Sequence, residues 1–299
     1  MKKILVAIAI LAALLVVSYA ASKLIGVKGG SDYIAVIPIN GIITIEGNGL
    51  GFNAEGTSSS EIVSFIKKAN DNSAVKAIIL EINSPGGTAV ASREIAEAVK
   101  NSEKPVVSLI REVGASGAYW IASASEAIVA DPLSITGSIG ATGSYLQFSE
   151  LFEKYGVTYE RLVSGEYKDT GNPFKELSEK ERKLLQSKID QIHDVFVEAV
   201  SDNRNMQKND IEKLATGEFY LGKEALELGL VDHLGGMDFA IDITEEIAGI
   251  EESEIVRYES QKGFFDLVGG LSVYSSYFIG KGIGSELKTS SYDVPVRLE

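Results

Sequence analysis

The chain contains no cysteine, which excludes a thiol nucleophile, a disulfide framework and a cysteine-ligated metal, and leaves the redox compartment open. Histidine is scarce. His193 and His233 are the only two in 299 residues, so a Ser-His-Asp triad would have to recruit one of them. Clusters of basic residues are also missing, and the net charge is −14. That argues against nucleic acid as a partner, because a phosphate backbone rewards grouped Lys and Arg. No internal repeat and no long low-complexity linker interrupts the chain. What is present is ample apolar material, 45% of residues, with an ordinary charged fraction of 23%, as expected of a globular chain with a buried core. The acidity helps keep an exposed domain in solution.

Residues 1–22 read as a targeting segment. Lys2 and Lys3 precede an uncharged, mostly aliphatic run from Ile4 to Ala21, long enough as a helix to approach the hydrocarbon thickness of a bilayer. Small residues at Ser18 and Ala20 leave open a cleaved signal peptide. The length of the run favours a retained membrane anchor, followed by a linker over 23–32. Lys23 and Lys28 balance Lys2 and Lys3, so flanking charge does not settle orientation.

From Tyr33 onward, apolar strands alternate with helices. Strands are expected at Tyr33–Ile39, Ala77–Ile82, Pro105–Ile110 and Ala127–Ala130. Helices are expected at Ser58–Ala69, with Ile62, Val63 and Ile66 on one face, at Thr88–Lys100, with Ala91, Ile95, Ala98 and Val99 inward, and at Ala118–Ala124. This order predicts an α/β domain over 33–257 built on a mostly parallel sheet covered by helices. Past Gly171 helices dominate. Ser178 and Glu181 have capping-box spacing ahead of an apolar stripe through Leu185, Ile189, Ile192, Phe196 and Val200, and shorter helices follow near Asp210–Leu214, Lys223–Leu228 and Asp238–Ala248. The tail, 258–299, carries an amphipathic segment through Phe264, Leu267, Val268, Leu271 and Tyr274. Its uncharged part is too short to cross a bilayer; it would dock on its own domain, on a neighbouring subunit or on the membrane.

Four short segments carry the chemistry. Asn83-Ser84-Pro85-Gly86-Gly87 ends a strand and opens a helix, where free N–H groups suit a phosphate or the oxyanion of acyl transfer, although a plain tight turn would look the same. Gly114-Ala115-Ser116-Gly117-Ala118 repeats the strand-to-helix setting around an accessible hydroxyl, with Ala118 in place of the second glycine of a G-x-S-x-G elbow. Thr136-Gly137-Ser138-Ile139-Gly140 is a glycine-rich turn, and Ser164-Gly165-Glu166-Tyr167-Lys168-Asp169 is a polar stretch. Taken alone, the first reads equally well as a tight turn, the second and third read better as structural turns, and the lysine of the fourth reads as a surface residue. His193, inside the long helical stripe, and His233 both read as ordinary structural or surface residues. A lysine can replace histidine as the base of a serine nucleophile if it is neutral. Lowering an ordinary value near 10.4 to about 7 costs roughly 4–5 kcal/mol, which burial in a dry site can impose. Glu166 and Asp169 would oppose this if they pointed at the amine. In an extended segment Asp169 would face away from Lys168.

Taken together and in this order, the four segments resemble the signal peptide peptidase A family of Ser/Lys-dyad serine peptidases, whose fold is that of the crotonase and Clp-protease superfamily. The resemblance covers roughly residues 33–257. It implies Ser116 as nucleophile, Lys168 as general base, Gly87 as an oxyanion-hole amide with Gly117 as a plausible second donor, and Ser138 as the serine that orients the lysine. Gly229–Gly236 matches a structural GLVD-x-LGG segment, which leaves His233 as no more than a fallback base. No metal and no cofactor is implied. The implied protein is a single-pass cell-membrane peptidase with its catalytic domain on the extracytoplasmic side, acting on residual signal peptides or other apolar peptides. It would form a homo-oligomer in which serine and lysine come from adjacent subunits. Two relatives of that reading stay open: a Ser/Lys membrane peptidase that cuts a stomatin-like protein tail, and a crotonase-type acyl-CoA enzyme.

Overall fold

Strands apolar at both odd and even positions require cover on both faces, and the computed structural model supplies it. It describes residues 32–47 and 56–259. The expected anchor, nearly all of the linker and the amphipathic part of the tail lie outside the described residues. Among the described residues no helix is long and apolar enough to cross a membrane.

The main sheet has eight strands, β1 (Tyr33–Asn40), β4 (Val75–Ser84), β5 (Val106–Ala115), β6 (Ala127–Ala130), β7 (Ile135–Gly137), β8 (Phe219–Leu221), β9 (His233–Leu234) and β10 (Glu254–Arg257). Their order is β10-β1-β4-β5-β6-β9, all parallel, and β7 adds to the far end of β5. The exception is β8, antiparallel to β7. A parallel pair, β2 (Ile43–Thr44) and β3 (Thr57–Ser58), stands apart.

Alternation along each strand divides the core. Ile37, Ile78, Leu80, Ile110 and Ile128 face one side, packing against α1 (Ser59–Asp71), α2 (Ala89–Lys100), α3 (Gly117–Ser123) and α5 (Glu179–Arg204). Ile34, Val36, Ile79, Val107, Leu109 and Val129 face the other, under α8 (Met237–Ala248). At about 1.5–3 kcal/mol for each fully buried large aliphatic side chain, this double-faced burial dominates the stability of the strands that carry the site.

Helix α3 is buried at all seven positions. The Tyr119 hydroxyl donates to the Leu230 carbonyl at 2.8 Å, and burial pushes that phenol well above its usual range. Trp120 stacks on Phe196 of α5, 4.8 Å between centroids. Asp232 accepts from the Ile128 amide and from Arg204 Nη1 and Nη2, at 2.6–2.9 Å. The Gly229–Gly236 segment is thus structural in geometry, tying the sheet to the end of α5.

Several elements differ from the sequence reading. On α2, Ser92 and Ala96 are buried and Ala98 only partly so. The stripe on α5 is buried only from Phe196 onward, where Phe196 stacks on Trp120 of α3, and Ile192 is 43% exposed. The short strands β8, β9 and β10 and helix α4 (Ser149–Lys154) are absent from the sequence reading. So are the full lengths of β4 and β5, which continue through polar residues to Ser84 and Ala115. The remaining helices are α6 (Lys208–Leu214) and α7 (Gly222–Glu227).

The capping box forms as expected. Ser178 Oγ accepts from the Glu181 amide, and the Glu181 carboxylate accepts from the Ser178 amide. Lys175 bonds the same carboxylate at 2.5 Å. Lys175, then the Ser178 amide and hydroxyl, bring the Glu181 carboxyl down from 4.5 to about 2. A carboxyl depressed by folding stabilises above its unfolded value and loses that contribution as pH falls toward its folded one. Glu181→Gln should therefore melt below wild type at neutral pH, and thermal denaturation followed by circular dichroism should show the gap closing between about pH 4.5 and about pH 2. A gap that stayed constant with pH would contradict this assignment.

Candidate active site

β4 and β5 pair in parallel, with Ser84 opposite Gly114, so both strands end at the same level and each feeds a helix there. The Pro85-Gly86-Gly87 turn therefore lies beside the Ala115-Ser116-Gly117 turn. Ser116 sits at the N-cap of α3 with φ 53° and ψ −125°, a strained conformation for a residue with a side chain. Its amide donates to the Gly137 carbonyl at 2.8 Å, and its own carbonyl accepts from Trp120. The strained turn is thus fixed by β7 on one side and by a buried helix on the other.

The approach of the two turns leaves no room for side chains. A Cβ on Gly86 would lie 2.8 Å from the Gly117 nitrogen and 2.9 Å from the Ser116 Cβ, and Gly86 has φ +102°. A Cβ on Gly87 would lie 1.9 Å from the Ile43 carbonyl oxygen, and one on Gly117 3.3 Å from the Gly87 nitrogen. Gly87 pairs with Ile43 in a parallel bridge whose bonds use the Gly86 carbonyl and the Thr88 amide, at 3.0 and 2.9 Å. In such a bridge the N–H of Gly87 itself points away from Ile43. The nitrogens of Gly87 and Gly117, each beside the first turn of a helix, thus lie close together near Ser116. An oxyanion would be held in such a place.

Ser138 also has positive φ, 50°. Its amide donates to Glu218 at 2.8 Å and its hydroxyl to Gly217 at 3.2 Å. Ser116 and Ser138 line one cavity of about 430 Å³, together with Thr142, Ile189, Asp190 and His193. The structure therefore brings together Ser116, Gly87, Gly117 and Ser138.

It does not bring Lys168 to them. Lys168 is exposed, in a run of turns rather than an extended segment, and is not among the residues lining the Ser116 cavity. Its acidic neighbours are engaged elsewhere. Asp169 accepts two bonds from Arg161, at 2.7 and 2.8 Å, which holds its carboxyl below the usual range. Glu166 pairs with Lys180 at 2.9 Å.

Three residues of the site escape the sequence reading. Gly86 is as sterically constrained as Gly87. Ser92 of α2 lies against Gly117. His193, not His233, is the histidine at the Ser116 cavity. Its Nε2 donates to the Ala215 carbonyl at 2.9 Å, which leaves Nδ1 as the basic nitrogen. His233 packs edge-on against Phe239 at the border of the sheet. For His193 a signal existed in the sequence: its place on the apolar stripe, one turn beyond Ile189.

Gly86→Ala should lower peptidase turnover at least about 100-fold, the range for a displaced oxyanion donor, and cost about 2 kcal/mol of stability from the forced positive φ. Turnover and chemical denaturation on one preparation measure both, and wild-type turnover in this variant would contradict the geometry.

The chain resembles known proteins over most of its length. The profile of peptidase family S49 matches residues 98–251, a stretch that contains Ser116, Ser138 and Lys168. A putative protease of Methanocaldococcus jannaschii is 35% identical over 246 residues, 81% of this chain and 78% of that protein. A putative signal peptide peptidase SppA of Enterococcus faecium is 33% identical over 266 residues, 88% of this chain and 76% of that protein. Among solved structures, a mutant of the 1510-N membrane-bound stomatin-specific protease superposes with a TM-score of 0.51 at 16% identity, over 78% of this chain and 100% of that one, a likeness of fold. A parallel α/β scaffold that strains one serine beside two backbone amides thus coincides with sequence likeness across most of the chain, and the protein belongs to peptidase family S49 as a serine peptidase of the signal peptide peptidase A kind.

Proposed function

We propose that the protein is a membrane-anchored endopeptidase with a crotonase/Clp-protease-like fold that degrades residual signal peptides and similar apolar peptides. In this reading it is a single-pass protein of the cell membrane, its catalytic domain extracytoplasmic on residues 33–257. The observation that carries the chemistry is Ser116 strained at a strand-to-helix turn beside the Gly87 and Gly117 amides. Neutral Lys168 takes the Ser116 proton as Oγ attacks the scissile carbonyl, and the two amides hold the oxyanion. Collapse expels the amine, which receives the proton. Water, deprotonated by the same lysine, then releases the acyl group. Ser138 at the cavity wall orients the lysine.

The same reading assigns Lys168 to the site of an adjacent subunit in a homo-oligomer. Its exposure supports this, as does the setting of its segment, where Leu146, Tyr155 and Leu162 are 74, 72 and 95% exposed. A monomer seldom leaves so many large apolar side chains in water along one stretch. A subunit covering them would also dry the lysine, as a neutral amine requires. A second reading, with His193 as base, rests on its place in the cavity.

Cleavage of a synthetic signal peptide by the detergent-solubilised full chain tests the assignment. Ser116→Ala and Lys168→Ala should each lose at least about 1,000-fold. Mixing the two variants should restore about a quarter of wild-type sites, the chance that intact Ser116 meets intact Lys168 in a random ring. Retained activity in Lys168→Ala, together with loss in His193→Ala, would move the base to His193.

A further inference from the structure

Ser92 is fully buried on α2, and its hydroxyl is the one buried side-chain polar atom among the described residues without a hydrogen-bond partner. A serine within a helix has an acceptor close at hand, the carbonyl four residues back. Here that is the Thr88 carbonyl, to which the Ser92 amide donates at 3.0 Å. The hydroxyl does not use it. Instead Oγ fills the space that a side chain on residue 117 would take, 2.2 Å from where a Gly117 Cβ would stand, and the Gly87 nitrogen lies 3.3 Å from that same point.

An unsatisfied buried hydroxyl is a standing cost to the fold. Alanine would fill almost the same volume without that cost, so packing alone does not account for a serine here. The hydroxyl lies against Gly117 with no protein acceptor to fix it. A dipole held there without a fixed acceptor can turn toward negative charge as it develops.

We propose that Ser92 is a positioning residue of the oxyanion hole: packed under Gly117, it holds that N–H beside the N–H of Gly87 and turns its hydroxyl dipole to the oxyanion. It touches neither substrate nor nucleophile and acts through the glycine and the field. The inference rests on the assignment of Ser116 as nucleophile, but not on which residue serves as base.

The test compares wild type, Ser92→Ala, Ser92→Cys and Ser116→Ala of the full chain in detergent. It reads kcat and KM on a peptide, the rate of inactivation by a peptidyl phosphonate, and the melting temperature. Ser92→Ala should melt at or above wild type, keep KM within about twofold, and lose about tenfold in both kcat and phosphonate reactivity. Ser92→Cys, with a weaker dipole of similar size, should fall between them. Unchanged kcat in Ser92→Ala beside an inactive Ser116→Ala would overturn the Ser92 role alone. A fall in melting temperature that tracks the loss of activity, unrelieved in Ser92→Cys, would reduce Ser92 to packing. Full activity in Ser116→Ala would instead remove the nucleophile on which both readings stand.

Discussion

Two pieces of backbone approach one another here as closely as atoms allow. The Pro85-Gly86-Gly87 turn meets the Ala115-Ser116-Gly117 turn so closely that a Cβ on Gly86 would fall within 3 Å of the Gly117 nitrogen, the Ala115 carbonyl oxygen and the Ser116 Cβ. This contact needs β4 and β5 to stay paired, through a shift of register after Ile82, until Ser84 lies opposite Gly114, and it needs a helix to follow each strand. The strain at Ser116 follows from the same demand. The chain must turn from strand into α3 within one residue while keeping its amide on the Gly137 carbonyl.

Such a contact keeps its geometry only if what lies behind it cannot yield. Interiors packed to crystal density resist deformation, and the site is backed by a sheet buried on both faces, by the wholly buried α3, and by the Trp120–Phe196 stack that joins α3 to α5. Preorganised amides assist a reaction because they need not move when charge appears. The stretch from Tyr145 to Phe174 is built otherwise. It holds one short helix, no strand of the main sheet, and many exposed apolar side chains. The densely packed part of the molecule carries Ser116 and the amides of Gly87 and Gly117, and this peripheral stretch carries Lys168.

How much of this is legible in sequence depends on how local its cause is. Strands such as Ala77–Ile82 are legible because cover on both faces makes them almost continuously apolar, and the capping box at Ser178 is legible because its partners are three residues apart. Ser116, Gly87 and Gly117 stand out as small residues at strand-to-helix turns. Gly86 looks like an ordinary turn glycine, since what constrains it is Gly117, thirty-one residues away in sequence. Ser92 looks like any small residue on a helix face until α3 is laid against it. The α5 stripe is apolar along its whole length, yet burial begins near Phe196, where α3 meets it through Trp120, and pattern alone carries no record of where α3 lies.

Charge pairing around Lys168 has the same non-local origin. In a chain of net charge −14, Glu166 and Asp169 would be expected to favour an ammonium beside them and so to work against a lysine base. The fold assigns them other partners. Arg161 grips Asp169 with two hydrogen bonds, Lys180 takes Glu166, and Lys175 takes Glu181. A carboxylate already matched by a guanidinium or ammonium exerts little net field on a third group a few ångströms away, because the opposite charges nearly cancel. The exposed Lys180–Glu166 pair contributes little to stability, typically below about 1 kcal/mol, so its significance lies in cancelling charge. Lys168 is thus left among carboxylates whose charge other side chains already match.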